Sequence, residues 1–149
     1  MEKLTFSALI NAPRQTVWDV LWNESTYPEW TRPFCEGSHM VTDLKEGSKV
    51  LFLDSNGSGM VSRVAVNRPN EYMDFEHLGE VKGGVEDTDS EHVKSWAGSH
   101  ETYMLTDIGN QTQLVVNMDT TEEFKNYFLE PWPKAMDKIK ELAEERGEK

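Results

Sequence analysis

Apolar residues recur at spacings of three and four through 120–147: Phe124, Tyr127, Phe128, Trp132, Ala135, Met136, Ile139, Leu142 and Ala143. That period predicts one face of an amphipathic helix. Thr120, with Glu123 three residues on, predicts a capping-box start. Arg146 favours the dipole of the last turn, and Gly147 is placed as the C-cap. Pro131 and Pro133 each remove a backbone donor and clash with the preceding turn, so a break is predicted between Glu130 and Pro133. A short first helix then carries the aromatic residues, and the main helix starts at Pro131 or Pro133. So broad an apolar face needs an apolar partner.

The rest of the chain supplies one. Leu4, Phe6, Ala8 and Ile10 alternate with Thr5, Ser7 and Leu9, a first strand. Pro13 opens a helix at its first position, with Val17, Trp18 and Leu21 as the buried stripe. A second, short helix is predicted over 23–30, capped by Asn23 or Ser25 and ended by Arg32-Pro33. From Phe34 to Asp119 the pattern is that of strands, at 35–42, 48–54, 59–67, 71–79, 94–106 and 112–119. Lys45-Glu46-Gly47, Asn56-Gly57-Ser58-Gly59, Arg68-Pro69-Asn70-Glu71 and Gly109-Asn110-Gln111 supply short turns, which make neighbouring strands antiparallel. The stretch 81–92, with Gly83-Gly84 followed by Glu86, Asp87, Asp89 and Glu91, reads as a flexible acidic loop.

Closing the last hairpin at Gly109-Asn110 sets Leu105 opposite Leu114, Tyr103 opposite Val116 and Glu101 opposite Met118. Closing another at Pro69-Asn70 sets Val66 by Met73, Val64 by Phe75 and Ser62 by His77. The Asn56-Gly57 turn places Leu51 and Leu53 opposite Ser62 and Met60; a bulge there would select Phe52 instead. One sheet face is then apolar but carries Glu101 and His77. The expected fold is α+β and a single domain over 1–149. A curved seven-stranded antiparallel sheet wraps around the C-terminal helix, two short helices follow the first strand, and the first strand pairs with the last.

Composition narrows the partners. The chain has 149 residues and a formal net charge of -12. Phosphate-tracking surfaces need clustered Lys and Arg, so nucleic acid is excluded as the expected partner, and anionic membrane surfaces with it. No apolar run reaches membrane-spanning length, and the N-terminus leads directly into a strand pattern rather than a signal peptide. The single Cys35 allows no internal disulfide, which fits a reducing cytoplasm, and it is expected as a buried, inert thiol.

Candidate chemistry centres on Glu101. With the register above, its carboxylate faces Tyr103, Val116 and Met118, and burial without a partner would suit it to acid or base work. The competing account is a one-residue bulge turning it to solvent, or a pairing with His77, Arg63 or Tyr103. His77 shares the face and serves either as a ligand anchor or as a satisfied core or rim residue. His39, His92 and His100 show no metal-type spacing. Asp87, Asp89 and Glu91 alternate like the start of a calcium loop but lack its glycine and closing Glu. Gly83-Gly84 precedes no helix, so nothing cradles a nucleotide, and Ser99 beside His100 makes no nucleophile–base pair. No catalytic, cofactor or metal residue is assigned. Five Trp, six Phe, four Tyr and seven Met remain. Trp30, Phe34, Phe75, Trp96, Tyr103, Phe124, Tyr127, Phe128, Trp132 and Met136 are the expected ligand-contacting set, with core packing as the competing use of the same rings.

The order of elements resembles the helix-grip fold of the START-like (Bet v 1-like, SRPBCC) superfamily. Within it the chain resembles the family named after the activator of the ATPase of the ninety-kilodalton heat-shock chaperone. Ala12-Pro13 with Val17-Trp18, Tyr27-Pro28-Glu29-Trp30, Gly37-Ser38, Gly47-Ser48, Pro69, and Trp132 leading to Ile139-Lys140 carry the resemblance over almost the whole chain. It implies a deep cavity between the long helix and the sheet. It leaves function open, because the superfamily holds lipid carriers, plant ligand-binding proteins, polyketide cyclases and chaperone regulators. The eukaryotic co-chaperone has a separate N-terminal domain that makes major chaperone contacts. This chain starts directly at the START-like domain, which argues against a chaperone-activating role.

The expected function is binding of a small hydrophobic, aromatic or lipid-like molecule between the sheet and the 124–136 segment, with Glu101 and His77 as polar anchors. The rivals are a cyclase- or hydrolase-like enzyme using Glu101 in the same cavity, and a chaperone-associated stress-response module, which rests on the resemblance alone. The sequence is compatible with a homodimer and does not set the oligomeric state.

Overall fold

A computed structural model of the chain describes residues 2–147. In order it contains β1 (Glu2–Ile10), α1 (Arg14–Trp22), α2 (Tyr27–Trp30), β2 (His39–Val41), β3 (Lys49–Leu53), β4 (Gly59–Arg68), β5 (Tyr72–Lys82), β6 (Val85–Asp87), α3 (Glu91–Lys94), β7 (His100–Ile108), β8 (Gln111–Thr120), α4 (Glu122–Leu129) and α5 (Pro131–Gly147). The strands form one antiparallel sheet in the order β1-β8-β7-β5-β4-β3-β2, with β6 paired to β5. This is the expected α+β helix-grip arrangement, with eight strands rather than seven.

The additional strand comes from the stretch expected to be a loop. Gly83 and Gly84 both take positive φ, 54° and 85°, the requirement of a two-residue hairpin turn. That turn sets Lys82 opposite Val85 and folds 85–87 back on β5. Beyond it, the backbone N–H groups of Asp89 and Ser90 close a turn on Asp87 Oδ1. Ser90 Oγ then caps α3 by accepting from the Val93 amide. The Asp87 carboxylate therefore serves as a local cap, while Glu86 pairs with Lys49. The strand expected over 94–106 starts only at His100, because Gly98 (φ 89°) turns the chain after α3. The strand expected over 35–42 shortens to β2.

The last hairpin has the expected register, with Glu101, Tyr103 and Leu105 opposite Met118, Val116 and Leu114. Strands β1 and β8 pair along their whole length, from Glu2 with Thr120 to Ile10 with Thr112. The β4–β5 ladder departs from expectation through two bulges. Ser62 and Val64 do face His77 and Phe75, but the register shifts between Val64 and Val66, so Met73 lies opposite Asn67 and not Val66. Across β3–β4, Leu51 and Leu53 meet Val61 and Gly59, and Phe52 takes the inward position, its ring 5.1 Å from Phe75.

The helix ends also differ in detail. Pro13 lies at the N-cap of α1, one position before the helix, and α2 begins only at Tyr27, behind Thr26. Asn23 instead holds a turn, its Oδ1 accepting from the Ser25 amide and hydroxyl. Thr120 ends β8, so the residue at the cap of α4 is Thr121, whose side chain makes no capping bond. The Glu123 side chain of the expected capping box lies outside the described residues. The helix breaks where the prolines require, between Leu129 and Pro131, and α5 continues through Gly147 rather than stopping before it.

Helix α5 buries Ala135, Met136, Ile139 and Ala143 and packs against β1 and α1. Buried Val17, Val20, Leu21 and Trp22 of α1 join the same core. Phe75 is fully buried there, edge-on to Trp22, Phe52 and Tyr103. Phe75→Ala removes a whole buried ring, so it is expected to cost about 3–5 kcal/mol. Urea unfolding with an unchanged m-value is the check.

Candidate functional site

Trp132 forms the floor of the site. It lies between the two prolines that open α5, and its ring stacks on Phe6 at 5.6 Å and 19°. It also meets Phe34 edge-on at 5.0 Å and lies 6.1 Å from both Trp30 and Tyr103. Trp30 is set by α2: its indole N–H donates to the Leu21 carbonyl at 3.1 Å, while Thr26 Oγ1 donates to the Val20 carbonyl at 2.7 Å. Together these bonds clamp α2 onto α1 and turn the rings of Trp30 and Tyr27 toward the sheet.

Above this floor is a cavity of about 470 Å³, bounded by α2 and the segment after it, the β3–β4 hairpin, β5, β7, the end of β8, and α4. Of the aromatic and polar residues expected at the site, Trp30, Phe34, His77, Trp96, Glu101, Tyr103, Phe124, Tyr127, Phe128 and Trp132 border it. Phe75 and Met136 do not. Phe75 is sealed off by Phe52 and Trp22, and Met136 lies on the stripe of α5 that faces the core. Tyr127 is 57% exposed, so α4 presents it at the rim and not to the sheet. Cys35 also stands at the border, exposed rather than buried, because α2 ends and the chain turns outward there.

Inward alternation on β5 and β7 brings His77 and Glu101 onto the same face. Glu101 Oε1 lies 3.4 Å from His77 Nε2, and the Tyr103 hydroxyl donates to Oε2. Arg63, a conceivable partner from sequence, pairs instead with Glu76. On its other side, His77 Nδ1 is 2.7 Å from Ser62 Oγ, and Ser62 is fully buried. One assignment satisfies all the groups: Ser62 O–H donates to Nδ1, and Nε2–H donates to Glu101. The carboxylate is thus held by a hydroxyl and an imidazole, with no guanidinium or ammonium among its described partners. Burial, and then the Glu101 charge, push the Tyr27 and Tyr103 phenols well above their ordinary range.

Tyr27 and Thr121 also border the cavity and were not expected there, as do Met118 and Phe52, which the sequence placed on or near this face but left out of the ligand-contacting set. Tyr27 was findable, three residues before Trp30 on one turn of helix. Two polar atoms of cavity-lining residues are buried without a hydrogen-bond partner, Trp132 Nε1 and Thr121 Oγ1. Among the described residues, no group of three or more His, Cys, Asp or Glu is arranged to hold a metal. No described helix is long and apolar enough to cross a membrane.

The sequence profile described as Activator of Hsp90 ATPase homolog 1-like protein matches residues 11–144. The chain belongs to that family. Solved structures agree on the fold this family member adopts. A protein from Mesorhizobium loti is 15% identical, with 97% of this chain and 98% of that one covered and a TM-score of 0.74. The Aha1 dimer from Colwellia psychrerythraea is 18% identical, with 97% of each chain covered and a TM-score of 0.74. CalU16 from Micromonospora echinospora is 17% identical, with 98% and 83% covered and a TM-score of 0.65. No curated protein matches the chain.

The two buried phenols carry a pH prediction. Unfolded, they ionise near 10; folded, they keep their protons to higher pH. Their contribution to stability is therefore complete below about pH 10 and is lost as pH rises beyond it. Glu101→Gln removes the charge that adds to the burial effect, so both phenols should ionise at lower pH than in the unaltered protein. Phenolate absorbance during alkaline titration, alongside the melting temperature, measures both effects.

Proposed function

We propose that this protein binds a small molecule with an aromatic or apolar body in the cavity above Trp132. The family fold supports a ligand-binding role. The observation that carries the reading is the cavity itself, ringed by aromatic side chains and holding the Glu101 carboxylate on its wall. A ligand burying about 200 Å² of apolar surface gains roughly 5 kcal/mol before association costs. One or two hydrogen bonds add about 1–3 kcal/mol, so micromolar affinity, about 8 kcal/mol net, requires a ligand that buries more apolar surface than that.

A second reading, acid–base catalysis in the same cavity, is favoured by the Ser62–His77–Glu101–Tyr103 chain. Its base would be Glu101, with its remaining lone pairs directed at a substrate proton.

Titration with the uncharged probe N-phenylnaphthylamine tests the binding reading. Probe emission should rise, Trp emission should fall, and the melting temperature should increase. Met60→Trp, which places a large ring in the cavity wall, should abolish all three changes while leaving the far-ultraviolet spectrum intact. A flat titration of the unaltered protein would remove the basis of the proposal.

A further inference from the structure

We infer that the cavity selects a cation: an ammonium group carried on an aromatic or otherwise apolar body and seated at Glu101. The inference rests on the binding reading above and adds the charge of what is bound. Among the described residues bordering the cavity, four are carboxylates, Asp54, Glu80, Glu101 and Asp119, and none is Lys or Arg. Three of the four are answered at the edges of the site. Asp54 accepts from the backbone N–H groups of Asn56 and Ser58, Glu80 lies 3.7 Å from His92, and Asp119 accepts from the His100 amide and lies 3.8 Å from Lys3.

Glu101 is different. Its side chain is only 14% exposed, and its partners are Tyr103 and His77. Each carboxylate oxygen accepts one of these bonds and keeps a second lone pair free. A carboxylate withdrawn from water is stabilised most by an arriving opposite charge with N–H donors, and an ammonium brings both. The rings of Trp30, Tyr103, Phe128 and Trp132 border the same space, and aromatic faces attract cations. The chain's net charge of -12 favours the approach of a cation over that of an anion. A fatty acid or a phosphorylated ligand would meet four carboxylates and no fixed positive charge.

Three compounds sharing a naphthalene body and an ethyl arm, ending in an amine, an alcohol or a carboxylate, separate the possibilities. Calorimetry and melting temperature are read on the full chain at pH 8, above the ordinary histidine range, and at low salt. The amine is expected to bind at least about tenfold more tightly than the carboxylate, with the alcohol between them. Glu101→Gln is expected to erase most of that preference, bringing the amine and carboxylate affinities to within about threefold of each other. If the alcohol binds and the carboxylate equals or exceeds the amine, the charge inference falls and the binding reading stands. An amine preference that survives Glu101→Gln overturns the seat at Glu101. Failure of all three compounds removes both readings. Should the variant not fold, the ranking on the unaltered protein decides the charge inference alone.

Discussion

Pro131 and Pro133 deny the C-terminal segment a continuous hydrogen-bond ladder, and the ring between them becomes the anchor on which both halves turn. Trp132 stacks on Phe6 of β1 and meets Phe34 edge-on. Helix α5 therefore leaves this point along β1 and α1, while α4 is free to take another direction. An unbroken helix from Glu122 would have carried Phe124 and Phe128 along the same stripe as Ala135 and Ile139. The break divides the apolar face into a core stripe and a separate wall. The wall borders the cavity, and α4 leaves Tyr127 and Leu129 exposed.

The polar content of the site follows from strand parity. Inward alternation on β7 that buries Tyr103 and Leu105 brings Glu101 to the same face two residues earlier, and parity on β5 does the same for His77 behind Met73 and Phe75. Once there, a carboxylate needs donors. The nearest are a phenol and an imidazole whose orientation Ser62 fixes from behind. The same charge holds the Tyr27 and Tyr103 protons more firmly, so the four groups form one electrostatic unit.

Much of this was legible because tight turns transmit register. Gly109 fixes the last hairpin, and from it the Glu101–Met118 and Tyr103–Val116 pairs follow by counting. The proline rule located the break between α4 and α5. What was not legible depends on bulges and on side chains competing for space. Nothing in Val64-Ala65-Val66 signals the shift that moves Met73 from Val66 to Asn67. The inward choice of Phe52 over Leu51 follows from the β3–β4 pairing, which sets Val50 and not Leu51 opposite Ser62. Gly83-Gly84 did carry a hairpin signal, but its acidic neighbours obscured it; of these, Asp87 caps a turn and Glu86 pairs with Lys49. Cys35 was misplaced because composition favours buried thiols, whereas here the chain has just left α2 and turns outward. Phe75 and Met136 were assigned to the site on parity and period, which report a face but not a depth along it.

The hollow and the carboxylate are two sides of one constraint. Suppose α4 continued the line of α5 and its rings closed over the sheet, filling the 470 Å³ above Trp132. Glu101 would then be sealed among apolar atoms with only two hydrogen bonds and no opposite charge. Burying an ionised carboxylate that way costs several kcal/mol even after relaxation, a large fraction of the stability of a domain this size. A solid core at this position would need Glu101 replaced by an apolar residue, which the β7 pattern of Tyr103 and Leu105 would readily accept. The chain keeps the charge instead, and the charge requires space for water or for a ligand that answers it. The helix break provides that space.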